Sequence, residues 1–351
     1  MPLDNLFSKG RIGNLETENR IVSSGTLNLM VKDGYLPDDY TKLYTDIAAG
    51  GTSLIITGTV FVGLILENRV VAKDLKSVIN KIHEISNAKI LIQLNILDMT
   101  PGENRTLKKL EITSEEIEKI INNFAKAAEI VYEIEADGIQ VHSCHGFLLS
   151  RFISPFFNER TDGYGGNNKN RSKILVEISN RIKEYTEKNY PLTIKLQTQD
   201  FIQGGLNLDD SKEIVEILCS KSKYDAIEPS GGGNYLKQGE KSYPSVIINS
   251  ESEQNYFLPT AKVLKPMMKN IPLILVGGIR NPIVADAIIR EKHADFISLG
   301  RPLIREPNLP NRWANGDYSP SKCTSCNECY LTIVPPGNFH CPVKRRLEFR
   351  G

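Results

Sequence analysis

The feature that most constrains this chain of 351 residues is an alternation. Eight short apolar runs lie at residues 19–25, 53–59, 90–94, 136–141, 192–197, 226–229, 273–276 and 296–299. Segments with helical periodicity separate them, at 38–48, 75–85, 113–135, 173–187, 209–220, 258–268 and 281–292. Thr113 followed by Glu116 reads as a capping box, and Asn281–Pro282 reads as an N-cap with proline at the first helical position. Strands that alternate with helices form parallel sheets, because a parallel crossover needs the length that a helix provides. Eight such units suit a closed (β/α)8 TIM barrel of about 250 residues. An open, doubly wound sheet is the alternative, although its G-x-G-x-x-G fingerprint after the first strand is absent. Pattern alone leaves both architectures open.

Charge narrows the partners. The 43 basic and 42 acidic residues leave a net +1, which argues against nucleic acid or an anionic membrane as the main partner. No apolar run approaches the ~20 residues of a membrane helix. The opening MPLDNLFSKGRIGN lacks the apolar segment of a secretion signal, so a cytoplasmic location is expected. Six cysteines are present, four of them between 323 and 341. In a reducing compartment such clustering points to a metal rather than to disulfides.

Parallel α/β folds place their chemistry at the carboxyl ends of the strands. Those ends carry Gly25 and Thr26, Gly58, Gln93, His142 and His145, Lys195, Gly277 and Gly278, and Gly300 and Arg301. After the fourth strand comes HSCHGFLLSRFISPFFNERTDGYGGNNKNR, residues 142–171. It reads as a long loop, and long loops without periodicity of their own are usually functional.

This stretch resembles the Old Yellow Enzyme family of FMN-dependent oxidoreductases. The family pattern is roughly H-x-x-H/N-G-Y-L-x-x-x-F-x-S-P-x-x-N-x-R-x-D-x-Y-G-G-S-x-x-N-R. It is met here by His142, His145, Gly146, Leu148, Phe152, Ser154, Pro155, Asn158, Arg160, Asp162, Tyr164, Gly165, Gly166, Asn170 and Arg171. The resemblance spans the chain and decides for the α/β class with a TIM barrel. It implies a barrel over residues 1–318, with a short cysteine-containing extension over 319–351 packed on it. It also implies FMN as cofactor and NAD(P)H as reductant.

Gln93, Lys195, Gly278, Gly300 and Arg301 fall where the family binds FMN, and so, loosely, do Gly25 and Thr26. Glycines after strands seven and eight let backbone N–H groups approach a phosphate, and Arg301 can add charge-assisted bonds. Lys195 in the barrel mouth would stabilise negative charge on a reduced flavin ring. The Gln93 amide both donates and accepts, which matches the ring's pyrimidine edge. The resemblance makes His142 and His145 the pair that grips a carbonyl or phenolate oxygen of the acceptor. An isolated H-x-x-H is more often a capping or core pair. A zinc site would need a third ligand, and none is evident nearby; Cys144, between the two, reads as packing. Phe147 stands where the family commonly has the tyrosine that protonates the substrate, and phenylalanine has no proton to give.

Cys323, Cys326, Cys329 and Cys341 form C-T-S-C-N-E-C followed by eleven residues and a fourth cysteine. The segment looks like the cluster region of 2,4-dienoyl-CoA reductase and trimethylamine dehydrogenase, with the second gap one residue shorter. A [4Fe-4S] cluster, zinc, and plain or disulfide-linked cysteines all stay open. The second flavin and nucleotide domains of those enzymes are not expected in a chain that stops just past the motif. The leading expectation is an NAD(P)H-dependent FMN oxidoreductase acting on a small unsaturated carbonyl, quinone or similar acceptor. An FMN and iron–sulfur electron-transfer module is the alternative from another class. A flavin barrel acting on RNA is disfavoured by the neutral charge, and a dead barrel would be yellow without oxidising NAD(P)H. A homo-oligomer is compatible with the sequence.

Overall fold

A computed structural model describes residues 3–26, 35–96, 109–233, 246–332 and 339–348. The parts of the expected extension at 333–338 and 349–351 lie outside the described residues. Eight parallel strands form the body: β1 Ile21–Ser23, β2 Leu54–Ile56, β3 Lys89–Asn95, β4 Gly138–Ser143, β5 Leu192–Gln197, β6 Ala226–Ser230, β7 Ile274–Leu275 and β8 Phe296–Leu299. They are paired in the order β7-β8-β1-β2-β3-β4-β5-β6. The ring closes where Ile227 on β6 pairs with Leu273 just before β7, with the Ile227 N–H donating to the Pro272 carbonyl at 3.1 Å. The architecture is therefore the closed (β/α)8 barrel, and the open sheet is excluded.

The helices follow the sequence signals closely. They are α1 Asp38–Ala49, α2 Arg69–Ile85, α3 Ser114–Glu133, α4 Lys173–Tyr185, α5 Leu208–Lys221, α6 Leu258–Leu264 and α7 Pro282–Arg290. Both halves of the Thr113–Glu116 capping box form, and the Asn281 side chain caps α7. α2 starts earlier than periodicity predicts, because the Asn68 side chain caps it by accepting from the Val70 N–H at 3.0 Å. α6 ends at Leu264, where Lys265–Met267, with Pro266 at its centre, tightens into a 3-10 turn. No helix among the described residues is long and apolar enough to cross a membrane.

Successive strand residues face opposite sides. One set, including Ile55, Ile90, Ile92, Ile139, Ile194 and Ile297, packs outward into the core shared with the helices. The other set points into the barrel. Its lower members, Val22, Leu54, Ile56, Leu91, Ala226, Ile274 and Phe296, make a second, smaller core with Ile12 and Leu15. Those last two sit on a hairpin, Gly10–Ile12 paired with Leu15–Thr17, whose apolar side thus joins the lower barrel interior. Two residues further along the same strands, the interior becomes polar: Ser24, Gln93, Gln140, Lys195, Glu228 and Ser298 are all buried there.

Candidate active site

The polar upper end of the barrel opens into a cleft of about 1040 Å³, counted to its open mouth. Gly25, Thr26, Gln93, His142, His145, Lys195, Gly277, Gly278, Gly300 and Arg301 all line it. Gly58 does not. Its N–H donates to the Tyr44 hydroxyl from α1, and Thr59 beside it reaches the cleft instead. Three of the glycines are fixed by close approach. A Cβ on Gly25 would collide with the Gln93 amide, while Gly277 (φ 116°) and Gly278 (φ 74°) run under the Tyr256 ring in backbone regions that L side chains avoid. The amides of Gly278, Gly300 and Arg301 have no acceptor among the described residues, so these donors stand available at the cleft wall.

Beneath the cleft runs one hydrogen-bonded chain of side chains. Thr59 Oγ1 donates to Gln93 Oε1 at 2.7 Å, Gln93 Nε2 to Gln140 Oε1 at 2.7 Å, and Gln140 Nε2 to Glu228 Oε2 at 3.0 Å. Glu228 is fully buried, and its Oε1 accepts from Ser24 Oγ (2.9 Å), Ser298 Oγ (2.9 Å) and Lys195 Nζ (3.1 Å). Neighbouring strands set this up in register: His142 lies opposite Lys195, and Lys195 opposite Glu228. A carboxylate with its lone pairs so fully engaged is the paired form in which a buried charge survives. The sequence singled out Lys195 but missed Glu228 and Gln140. Their signal was positional: each lies on the inward set, two residues beyond a small one.

At the end of β4, His142 is buried and packs edge-on against both His145 and Phe147, with ring centroids 5.3 and 5.2 Å away. Burial, with the Lys195 charge adding to it, pulls the His142 pKa down to about 3, so the ring is neutral at ordinary pH. His145 Nε2 lies 2.8 Å from Ser230 Oγ, and its backbone N–H donates to Gln197 Oε1 at 2.9 Å. Cys144, fully buried, lies between the rings; burial raises its thiol pKa far above the usual range. The stretch beyond is not an unstructured loop. It holds helices Leu148–Ile153 and Asn168–Arg171. Its pattern residues act as staples: Ser154 donates to Asp200, Asn158 Nδ2 to the carbonyls of Phe152 and Tyr164, and Arg171 Nε to the Ile153 carbonyl.

The four tail cysteines line one small pocket together with Arg301, Ile304, Thr324, Asn327 and Pro342. Three arginines from the barrel reach this segment. Arg280 donates to the Cys323 carbonyl at 2.9 Å, Arg301 to the Ser325 carbonyl (3.0 Å) and Asn327 Oδ1 (2.6 Å), and Arg305 approaches Cys341 Sγ at 3.7 Å. Burial pushes the Cys329 thiol up to about 12 and raises that of Cys323. Arg301 and Cys329 line both this pocket and the cleft.

Comparison with known proteins places this geometry. The chain is 33% identical to an NADH oxidase of Thermoanaerobacter brockii, over 92% of this chain and 53% of that protein. It is 30% identical to an NADPH dehydrogenase of Listeria innocua, over 87% of this chain and 93% of that one. Among solved structures, a 2-naphthoyl-CoA reductase complex superposes with a TM-score of 0.82 at 22% identity, covering 97% of this chain and 56% of that one. The chain thus spans about half the length of some relatives and nearly all of others. The family model for NADH:flavin oxidoreductase / NADH oxidase matches residues 93–319, and the chain belongs to that family.

Proposed function

We propose that this chain is an FMN-dependent NAD(P)H oxidoreductase acting on small unsaturated carbonyls, quinones or similar acceptors. The observation that carries this is convergence. Inward side chains from β3, β4 and β5 and the glycine amides after β7 and β8 meet in one cleft. The residues suit FMN. The free amides of Gly278, Gly300 and Arg301 fit its phosphate, and Gln93 keeps a spare donor and acceptor for the ring edge. When bound, FMN supplies hydride transfer between reduced nicotinamide and acceptor. Lys195 holds a fixed cation at the cleft floor, already oriented by Ser24 and Glu228, so no reorganisation is needed when negative charge develops above it. His142, held neutral by its burial, and His145 both line the cleft as the candidates to donate hydrogen bonds to an acceptor oxygen. Phe147 excludes water beside them and gives no proton.

In the same reading the tail, 319–351, is an extension on a barrel ending near 318, and its four cysteines hold a [4Fe-4S] cluster, with zinc as the alternative. The charge pattern supports a thiolate site, since Arg280, Arg301 and Arg305 surround it. Two residues common to cleft and cysteine pocket, Arg301 and Cys329, favour a second reading in which electrons also leave for a partner protein. The protein is read as cytoplasmic, with no nucleic-acid or membrane partner, and a homo-oligomer is compatible with it. The anaerobic absorbance spectrum, mass spectrometry of the released cofactor and metal analysis test all of this together. FMN is expected; FAD or no flavin overturns the reading. Iron with acid-labile sulfide supports the cluster, and one zinc per chain replaces it.

A further inference from the structure

The turn after β4 brings three metal-binding side chains onto one point. His142 Nε2 lies 3.2 Å from Cys144 Sγ, and His145 Nδ1 lies 3.4 Å from the same sulfur. One ligand atom from each of the three residues lies within 4.8 Å of the other two, and no other such group of His, Cys, Asp or Glu exists among the described residues. The backbone explains the convergence. Residues 142 and 144 share a side by strand alternation, and the left-handed conformation of His145 (φ 64°) folds the third side chain back toward them. Cys144 thus stands beside the two histidines where the sequence showed no third ligand.

The spacing is that of a ligand set. With metal–nitrogen bonds of about 2.0 Å and metal–sulfur bonds of about 2.3 Å, tetrahedral N···S edges come to about 3.5 Å. Ser230 engages the far nitrogen of His145 at 2.8 Å, the outer partner that a metal-binding imidazole usually carries. His142, in contrast, is poorly satisfied as it stands. Its Nε2, the nitrogen that faces the other two side chains, meets only a thiol, a weak donor and acceptor. Buried polar atoms left this way call for an ion or water as their explanation. Both imidazoles line the cleft, so an ion has a path in and a fourth position open to solvent or substrate. The neighbouring Lys195–Glu228 pair is neutral overall and does not bar a cation.

We propose that His142, Cys144 and His145 form a site for a divalent cation of the zinc class, separate from the cysteine tail. Binding exchanges the Cys144 S–H proton, released to solvent, for a metal–sulfur bond, with no change of oxidation state. Occupation withdraws both imidazoles from the acceptor, so such ions switch off acceptor reduction.

The test uses the chelator-washed, flavin-loaded full chain with Zn2+ alone. X-ray absorption at the zinc edge is expected to show a site with two nitrogen and one sulfur neighbour. Zn2+ affinity and the ratio of rates with and without Zn2+ are then compared across wild type, Cys144→Ser and Cys144→Ala, each against its own zinc-free rate. Loss of the sulfur is expected to weaken the site about 100-fold or more, since even an outer partner of a ligand is worth 10–100-fold. Zinc found only in an all-sulfur shell, no zinc bound, or equal affinity in both Cys144 variants and wild type overturns the site. The zinc neighbours are read directly, so the result stands whichever acceptor the protein reduces.

Discussion

The two ends of the barrel interior are built from the same strands and differ in almost everything else. At the lower end, Leu91, Ala226 and Phe296 pack with Ile12 and Leu15 from the hairpin. One inward step higher on the same strands stand Gln93, Glu228 and Ser298, joined by hydrogen bonds. The lower end needs only shape and volume, so its contribution is stability. The upper end holds a buried ion pair, whose desolvation makes it a poor source of stability but a good source of fixed charge. Two residues of sequence, about 6.6 Å of strand, separate scaffold from chemistry.

Removing one partner of the buried pair should have the largest effect. Glu228→Gln leaves Lys195 as a buried cation with only neutral partners, which costs about 3–5 kcal/mol. Urea denaturation measures it, and the flavin's reduction potential should rise as the compensating negative charge goes. An unchanged potential would mean that Lys195 does not face the cofactor. The matching change at the lower end, Leu91→Ala, should cost about 2–5 kcal/mol through a cavity, with the potential and the rate of flavin reduction unaltered. If Leu91→Ala shifts the potential as much as Glu228→Gln, the division between the two ends is wrong.

The same contrast explains what the sequence could reveal. Apolar alternation and helix caps located the barrel because each is a local signal, such as the Thr113–Glu116 box. Gln93 and Lys195 were legible because a polar residue inside an apolar strand is conspicuous. Glu228 was not: in A-I-E-P-S it looks like an ordinary surface carboxylate, and only ring closure buries it. Gly58 was misleading for the opposite reason. Its position at a strand end pointed to the cleft, but the Tyr44 hydroxyl, brought by α1, takes its N–H. Cys144 could not be placed because the left-handed turn at His145 leaves no trace in composition. Much of the long 142–171 motif proved to be structural stapling, so its length marked the family more than the chemistry.

Phe147 sharpens the comparison at the boundary of the polar region. It is buried against His142, an apolar side chain in a polar neighbourhood. Phe147→Tyr should raise the reduction of a simple cyclic enone about 100-fold where protonation limits turnover. Stopped-flow reduction of the flavin by NAD(P)H should be unchanged. A wild type that already turns over the enone quickly, with nothing gained from the tyrosine, would assign proton delivery to another group; Tyr256 and Tyr330 also line the cleft.

The most local effect concerns His142 and the cost of burying a titratable ring in the upper end. Its pKa is about 3 in the folded protein, because burial and the Lys195 charge oppose its protonation, against about 6.5 when unfolded. Between these values the unfolded chain holds a proton that the native one lacks. Folding stability attached to His142 is therefore fully present above pH 6.5 and drains away as the pH falls toward 3. The slope is about 1.4 kcal/mol per pH unit in mid-window. His142→Asn has no proton to take up, so its stability should fall less steeply with acid by that amount, whatever its stability at neutral pH. Denaturation curves between pH 6.5 and 4, with chelator present in both samples, read the difference in slope. Parallel curves would mean that His142 protonates as readily in the folded barrel as in water, and the picture of a dry, charge-facing upper interior would fail at that residue.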